Sequence, residues 1–283
     1  MRVVTDSTAV LPPQIVAEAN LRVVPLTVII SGEQGREGID VTPAEVARAL
    51  GERRQSVTTS RPAPAEFAEV YQELLADGAH GIVSVHISSR LSGTHEAAQL
   101  AAAEFGERVR VVDSRAAGSG VGFVALAAAR SARDGADVAH AAQAAEDATG
   151  RIATLFYVDT LEHLRRGGRI GAVRALVGTA LAFKPILRVQ EGDVVLHEKV
   201  RTSARALGRL VELAVAAAEE SDVDIAVQHL DAEDRARELL QLLREQLGDR
   251  LHEAFVSDVG AVIGAHTGPG AIGVTVHRRS SSM

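Results

Sequence analysis

Three loops rich in hydroxyl side chains precede predicted helices in the first third of the chain. They are Thr5-Asp6-Ser7-Thr8, Thr58-Thr59-Ser60-Arg61-Pro62 and Ser88-Ser89-Arg90-Leu91-Ser92-Gly93-Thr94. Each loop alone is explained by helix capping, because Ser and Thr are ordinary N-cap residues. Hydroxyl groups and free backbone N–H groups at the start of a helix also bind carboxylates and phosphates. We expect the three loops to lie at the same end of one sheet and to form an anion site.

A histidine near the end of the chain is surrounded by glycine and aliphatic residues. The segment Gly260–Val276 contains His266 but no Asp or Glu. Two interpretations stay open. Either His266 is a core histidine that bonds to a backbone carbonyl, or the glycines let the backbone approach a bound polar group that the imidazole faces.

The segment Leu161–Ile170 ends a predicted helix in a cluster of cations. Arg165 and Arg166 offset the helix dipole, and Gly167 is the predicted left-handed cap. Capping does not account for Arg169, which follows the cap. This side chain could reach an anion.

Several patterns that resemble catalytic or cofactor motifs are incomplete. Gly118-Ser119-Gly120-Val121-Gly122 has Phe123 where a dinucleotide-binding loop needs glycine. Ser84 falls inside a strand pattern and lacks the following glycine of a nucleophile elbow. His95-Glu96-Ala97-Ala98-Gln99 lacks the second histidine of a zinc helix. The sequence therefore predicts no metal site, no cofactor and no self-sufficient catalytic group.

The elements that position these residues alternate between strands and helices. The predicted strands of the first half are Arg2–Thr5, Arg22–Ile30, Gly81–Ser88 and Val109–Asp113. Near-continuous aliphatic strands separated by helices indicate a mostly parallel, Rossmann-like sheet covered on both faces. Ligands of such sheets bind at the carboxyl ends of the strands.

The pattern changes after Gly150. Ile186–Val200 is a predicted hairpin, with its turn at Glu191-Gly192-Asp193. Separated strands and a hairpin predict a second α/β domain with antiparallel pairing. We place an N-terminal domain at residues 1–150 and a C-terminal domain at residues 151–283.

Composition excludes several classes of protein. The 283 residues are 46% hydrophobic but only 3% aromatic, and the net charge of −7 argues against nucleic-acid binding. The chain has no cysteine, so disulfides and thiolate chemistry are excluded. No apolar run reaches the length of a membrane span, and no signal peptide is evident. We expect a soluble cytoplasmic protein.

Six motifs together resemble the DegV family. They occur in the family's order: Thr5-Asp6-Ser7-Thr8, Thr59-Ser60-Arg61-Pro62, Leu91-Ser92-Gly93-Thr94, Leu161–Ile170, Lys184-Pro185-Ile186-Leu187 and Gly264-Ala265-His266-Thr267-Gly268-Pro269-Gly270. Each motif is short, but the ordered set is specific and covers nearly the whole chain. One departure is Arg61, where the family usually has a smaller polar residue such as Gln.

The resemblance implies a fold and a ligand. DegV-like proteins have two α/β domains that hold one long-chain fatty acid, such as palmitate, stearate or oleate, between them. Members of the FakB type present the carboxylate of this acid to a separate fatty acid kinase, which phosphorylates it. The C-terminal domain is thus expected to close over the lipid, and transient contact with a membrane surface is compatible with this role.

The resemblance also assigns the site residues. The residues that match the family's carboxylate contacts are Thr59, Ser60, Ser92, Gly93, Thr94 and His266. A protonated His266 beside the carboxylate is expected to have a raised pKa. Arg169 and, more weakly, Arg201 match cations that contact the partner or the transferred phosphate.

Two other functions remain open from the sequence. One is a hydrolase or phosphotransferase that uses Ser92 and His266. The other is a carrier for a different amphipathic carboxylate, without a kinase partner.

Overall fold

The computed structural model describes residues 1–52, 55–171 and 183–280. Within these ranges, thirteen strands form three sheets, and ten α-helices accompany them. The described helices include none that is both long enough and apolar enough to cross a bilayer.

The first sheet is parallel and has four strands. In spatial order they are β2 (Leu21–Val24), β1 (Arg2–Asp6), β6 (Ile82–His86) and β7 (Val109–Asp113). The helices that pack beside this sheet are α1 (Pro13–Glu18), α3 (Pro64–Ala76), α4 (Thr94–Ala102), α5 (Ser119–Arg133) and α6 (Val138–Thr149).

Helices cover both faces of the four-stranded sheet. Successive strand side chains alternate between the faces, so Val3 and Val83 pack against α5 and α6. Val4 and Ile82 point the other way, toward α3 and α4. The prediction of a mostly parallel sheet with helices on both faces is confirmed.

The second sheet has six strands and is mainly antiparallel. In spatial order they are β10 (Asp193–Val200), β9 (Lys184–Gln190), β8 (Ile152–Tyr157), β13 (Ile272–Arg278), β11 (Val223–His229) and β12 (Leu251–Asp258). Only the β11–β12 pair is parallel in this sheet as described. The turn of the predicted hairpin is confirmed: Glu191 (φ 49°) and Gly192 (φ 82°) both have the positive φ of a tight hairpin turn.

Two long helices cover one face of the six-stranded sheet. They are α8 (Ser203–Ala218) and α9 (Glu233–Leu247), and their apolar faces pack on Ile225, Val227 and Val274. The short helix α7 (Glu162–Arg166) follows β8. The opposite face of the sheet is turned toward the first half of the chain.

The third sheet is small and antiparallel, and sequence analysis did not predict it. Its strands, in spatial order, are β4 (Glu33–Arg36), β3 (Thr27–Ile30) and β5 (Val57–Ser60). Helices α2 (Pro43–Gly51) and α10 (Ala261–Thr267) pack on it, through side chains such as Val28, Val46 and Val262. A helix from late in the chain is thereby fixed to an early sheet.

Two sequence predictions about these elements are wrong, and one helix was not predicted. Arg22–Ile30 is two strands in two different sheets, because Pro25 lacks the N–H needed to continue the ladder. Thr59 and Ser60 belong to strand β5 and not to a loop of the parallel sheet. Helix α10, within the glycine-rich segment Gly260–Gly273, is the element that was not predicted.

The predicted division into residues 1–150 and 151–283 stays a prediction. Gly150 lies in the short connection between α6 and β8. The boundary therefore falls between the last helix beside the four-stranded sheet and the first strand of the six-stranded sheet.

Candidate functional site

A cavity of about 360 Å³ lies between the six-stranded sheet, α10 and the loops that follow the parallel strands. Its floor is the sheet face that α8 and α9 leave uncovered. Gln228, Gly273 and Phe156 stand side by side on neighbouring strands of this floor, and Thr154 and Val189 form the next row. The cavity is within the size range of small-molecule sites, roughly 300–1,000 Å³.

Most of the cavity wall is aliphatic. The larger apolar side chains are Leu26, Ile87, Leu91, Leu164, Val194, Val259, Val262, Ile263 and Ile272. Val194 and Ile272 come from the six-stranded sheet, and the others come from helices and loops. Such a wall suits an apolar ligand, because each buried methylene contributes about 0.8 kcal/mol.

Of the polar side chains that line the same cavity, five form what we call the polar cluster: Thr59, Ser60, Ser92, Arg169 and His266. Thr59 Oγ1 lies 2.9 Å from His266 Nε2. Arg169 donates from Nε to the carbonyl of Leu91, next to Ser92, at 3.0 Å. Residues far apart in the sequence thus meet at one place.

His266 lies in the last turn of α10, and its imidazole is held on two sides. Thr59 contacts Nε2, and Gly167 packs against the ring so closely that a Cβ there would lie 2.6 Å from Cε1 and overlap Nδ1. Within the described ranges, Nδ1 has no hydrogen-bond partner. The partner of His266 is therefore a side-chain hydroxyl at the cavity and not a backbone carbonyl in the core.

The charge state of His266 is set by its burial and by a neighbouring cation. Burial, followed by the positive charge of Arg169, lowers the pKa of His266 to about 4. The imidazole is therefore neutral at pH 7 in this structure. The expectation of a raised pKa concerns His266 beside a bound carboxylate and stays a prediction. Arg169 carries the positive charge of the polar cluster instead.

Ser92 and Gly93 line the cavity where α4 begins. Ser92 Oγ is 2.8 Å from Thr94 Oγ1 and accepts a hydrogen bond from the Thr94 N–H at 3.3 Å. Thr94 itself is fully buried. The predicted contribution of its N–H to anion binding is reduced, since Ser92 already accepts from this group.

Arg61, the predicted departure from the family pattern, ties β5 to the start of α4. Its Nη1 donates to the Gly93 carbonyl at 3.1 Å and pairs with Glu96 at 2.7 Å. Its side chain crosses Gly93, where a Cβ would lie 2.9 Å from the arginine Cδ. Arg61 is therefore part of the cavity rim.

Arg169 follows a helix cap that differs from the predicted one. Gly167 has right-handed helical geometry (φ −73°), and Gly168 takes the left-handed conformation (φ 73°). The N–H of Arg169 bonds to the Leu164 carbonyl at 3.0 Å, as a Schellman cap requires. The left-handed cap is therefore Gly168. A glycine is needed at position 167 for another reason, because a side chain there would overlap the His266 ring.

Arg201 lies apart from the polar cluster. It is exposed in the short connection between β10 and α8 and does not line the cavity. Its role as a partner contact stays a prediction.

The first hydroxyl-rich loop supports α10 through Glu37 and does not line the cavity. Glu37 accepts hydrogen bonds from the Ser7 hydroxyl and from the N–H of Val262 at 2.8 Å. Gly260 (φ 84°) leaves room for this carboxylate, since a Cβ would lie 2.7 Å from Glu37 Oε1. Burial raises the pKa of Glu37. Nothing in the sequence around Glu37 indicates this role, and Gly260 is the nearby residue that signals a close approach.

A buried chain of hydrogen bonds also escaped sequence analysis. Tyr71 donates to Ser84 at 2.8 Å, Ser84 Oγ lies 2.7 Å from His86 Nε2, and His86 Nδ1 lies 3.0 Å from Asp6. The types match a Ser-His-Asp triad, but all four side chains are fully buried and none lines the cavity. This chain stabilises the β1–β6 core, and its serine is inaccessible to a substrate.

No group of side chains in residues 1–52, 55–171 and 183–280 could hold a metal ion. The polar cluster itself holds hydroxyls, one imidazole and one guanidinium. These groups can bind a carboxylate.

Comparisons with known proteins agree with the fold and the motifs. The DegV family model, described as "Uncharacterised protein, DegV family", matches residues 1–279. A DegV domain-containing protein of Streptomyces coelicolor is 49% identical over 277 residues, which are 98% of each chain.

Two solved structures have the same fold. A DegV family protein from Thermus thermophilus, described as fatty acid binding, superimposes with a TM-score of 0.92 at 37% identity, covering 98% of this chain and 99% of that one. DegV from Bacillus subtilis, described as a fatty acid binding protein, gives a TM-score of 0.88 at 31% identity and the same coverage. Because the family match spans nearly the whole length, the chain belongs to the DegV family.

Proposed function

We propose that the protein binds one long-chain fatty acid, with the acyl chain along the aliphatic cavity and the carboxylate at the polar cluster. The observation that carries this proposal is the single cavity that joins an aliphatic wall to hydroxyl, imidazole and guanidinium groups. The relatives from Thermus thermophilus and Bacillus subtilis, which share the fold, are fatty acid binding proteins. Palmitate, stearate and oleate are the expected ligands.

The polar cluster offers a carboxylate the donors that it needs. A carboxylate only accepts hydrogen bonds, and Thr59 and Ser92 each carry one hydroxyl donor. The exposed Ser60 hydroxyl donates to the Arg61 carbonyl at 3.3 Å and would have to turn to reach the ligand. A neutral His266 that is protonated at Nε2 donates to Thr59 Oγ1, which leaves the Thr59 proton for the ligand. Arg169 supplies a positive charge beside these donors. The carboxylate is thus held by hydrogen bonds and one nearby cation.

Burial of the acyl chain supplies most of the affinity. A chain of ~15 methylenes at ~0.8 kcal/mol each contributes about 12 kcal/mol before the costs of ordering. Ordering of the chain and of the cavity side chains subtracts several kcal/mol. The hydroxyl donors then fix which end of the chain faces the rim.

The protein presents the bound carboxylate to a separate fatty acid kinase and is not itself an enzyme. The family resemblance supports this second part of the proposal. Arg61 at the cavity rim and Arg201 on the surface are candidate contacts for the kinase or for the transferred phosphate. Brief contact with a membrane surface, where fatty acids partition, fits the same role.

The hydrolase or phosphotransferase alternative has little support. Ser92 Oγ lies against Thr94, and His266 lies against Thr59, so the two are not paired with each other. No carboxylate among the described residues orients His266. A serine nucleophile needs both contacts.

Native mass spectrometry of the protein purified from cells tests the proposal. We expect the added mass of one long-chain fatty acid, and removal of the lipid followed by titration with stearate should restore it at one equivalent. Protein that carries no lipid and does not bind stearate would contradict the proposal. Hydrolysis of acyl esters or acyl phosphates with sustained turnover would favour the alternative.

A further inference from the structure

A primary amide lies in the otherwise mainly aliphatic part of the cavity. Gln228, on β11, is only 3% exposed and lines the cavity floor beside Gly273 and Phe156. A leucine or methionine would bury more apolar surface at this position. The amide therefore requires an explanation, because a buried polar group is costly unless it is hydrogen-bonded.

The orientation of the amide is fixed by one hydrogen bond. Gln228 Oε1 accepts from the backbone N–H of Ser119, at the start of α5, at 3.1 Å. The amide also lies against Gly118 (φ 63°), where a Cβ would overlap Oε1 and lie 3.1 Å from Nε2. Since Oε1 takes the Ser119 N–H, the NH₂ group is on the other side and cannot be exchanged with the oxygen.

The NH₂ group is the unused half of this side chain. In the part of the chain that the structure describes, Nε2 is buried without a hydrogen-bond partner. The other polar side chain of the floor, Thr154, is already 3.2 Å from Thr275 Oγ1. Gln228 therefore places in the cavity floor an N–H donor that has no partner among the described residues.

We propose that the cavity prefers a long-chain fatty acid that carries a hydroxyl or oxo group on its acyl chain, whose oxygen accepts a hydrogen bond from Gln228 Nε2. This inference rests on the proposed function and specifies its ligand class. An unsubstituted chain leaves the NH₂ group buried and unpaired, whereas an oxygenated chain pairs it. A site built to hydrogen-bond a ligand oxygen discriminates against the analogue without it.

The test compares ligands on the delipidated protein by competition binding. The probes are stearic acid, a panel of monohydroxystearic acids substituted at successive positions, and the matching oxostearic acids. We expect one position along the chain to bind about tenfold more tightly than stearic acid, equivalent to about 1.4 kcal/mol. The oxo acid of that position should share the preference, because its oxygen only accepts.

Two variants assign the preference to the amide. Gln228→Met should reduce the ratio of hydroxystearate to stearate affinity to about one or below. Thr154→Val, a control of similar shape on the same floor, should keep the ratio of the wild type. The Gln228→Met variant also removes the oxygen that accepts from the Ser119 N–H, so its thermal unfolding is measured together with binding. The oxostearic acids on the wild-type protein test the preference without any variant.

Each remaining outcome contradicts the inference in a distinct way. Stearic acid binding as tightly as every oxygenated acid would overturn it and leave the proposed function intact. A preference for hydroxy but not oxo acids would show that the ligand donates, which Gln228 Nε2 cannot accept. A preference that survives in Gln228→Met would show that a different group hydrogen-bonds to the oxygen on the acyl chain. Failure of all the acids to bind would overturn the proposed function itself.

Discussion

Replacement of Gly167 by alanine tests whether the position of the His266 ring is essential for the site. Gly167 and Gly150 both end a helix in nearly the same right-handed conformation, with φ of −73° and −70°. Alanine is sterically allowed by the backbone at both positions. A Cβ at Gly150 would meet only the Asp147 carbonyl, at 3.8 Å, whereas a Cβ at Gly167 would overlap the imidazole of His266. Gly150→Ala is therefore a matched control.

The two variants should change stability in opposite directions. Gly150→Ala should stabilise by about 0.4–1 kcal/mol, because alanine restricts the unfolded chain. Gly167→Ala has the same benefit but forces His266 to move, which costs about 1–3 kcal/mol for overpacking. Loss of the hydrogen bond to Thr59 adds about 1 kcal/mol. We expect a net destabilisation of about 2 kcal/mol, and a difference of about 3 kcal/mol between the variants.

Chemical unfolding of both delipidated variants and titration with stearate provide the measurements. Gly167→Ala should bind stearate at least about tenfold more weakly than the wild type, and Gly150→Ala should bind as the wild type does. If Gly167→Ala matched Gly150→Ala in both stability and affinity, the ring of His266 would not need its observed position, and the reasoning would be refuted.

Three further predictions concern single side chains. Ser92→Ala should lower lipid retention and cost about 1 kcal/mol of stability, because Ser92 also accepts a hydrogen bond at the start of α4. Unchanged lipid occupancy in native mass spectrometry would exclude a contact between Ser92 and the head group. The pKa of His266 falls from 6.5 to about 4 on folding, so between these pH values the unfolded chain binds more protons than the folded one. The contribution of the neutral His266 to the free energy of unfolding should therefore be lost as pH falls through this window. A His266→Gln variant should show a shallower loss in acid unfolding curves, and identical curves would contradict the lowered pKa. Glu37→Ala leaves the Val262 N–H without its partner and should destabilise by about 2 kcal/mol and weaken stearate binding, whereas normal binding would show that α10 needs no such support.

Sequence patterns predicted the larger sheets well because their strands are regular. Val109–Asp113 was predicted with its exact bounds, since a β-branched run between turns has few alternatives. Helix α10 was missed because Gly264 and the flanking glycines disfavour a helix locally. Tertiary packing reverses this preference: Gly264 approaches Leu230 so closely that a Cβ would lie 3.1 Å from its side chain.

The candidate site was only partly predictable. Thr59 and His266 were selected as separate motifs, but their contact at 2.9 Å depends on the unpredicted packing of α10 on the three-stranded sheet. The charge state of His266 could not be inferred, because it depends on burial and on the approach of Arg169. Gln228 carried no sequence signal, since a single glutamine in a strand is unremarkable until the strand is known to be buried on both faces.

A crystal structure of the protein with bound stearate tests the central claim most directly. The account predicts carboxylate oxygens within hydrogen-bond distance, about 2.5–3.2 Å, of the Thr59 and Ser92 hydroxyls. The acyl chain should run over the floor formed by Phe156, Gly273 and Gln228. A carboxylate at the floor with the methyl end at the polar cluster, or stearate bound outside this cavity, would contradict the account.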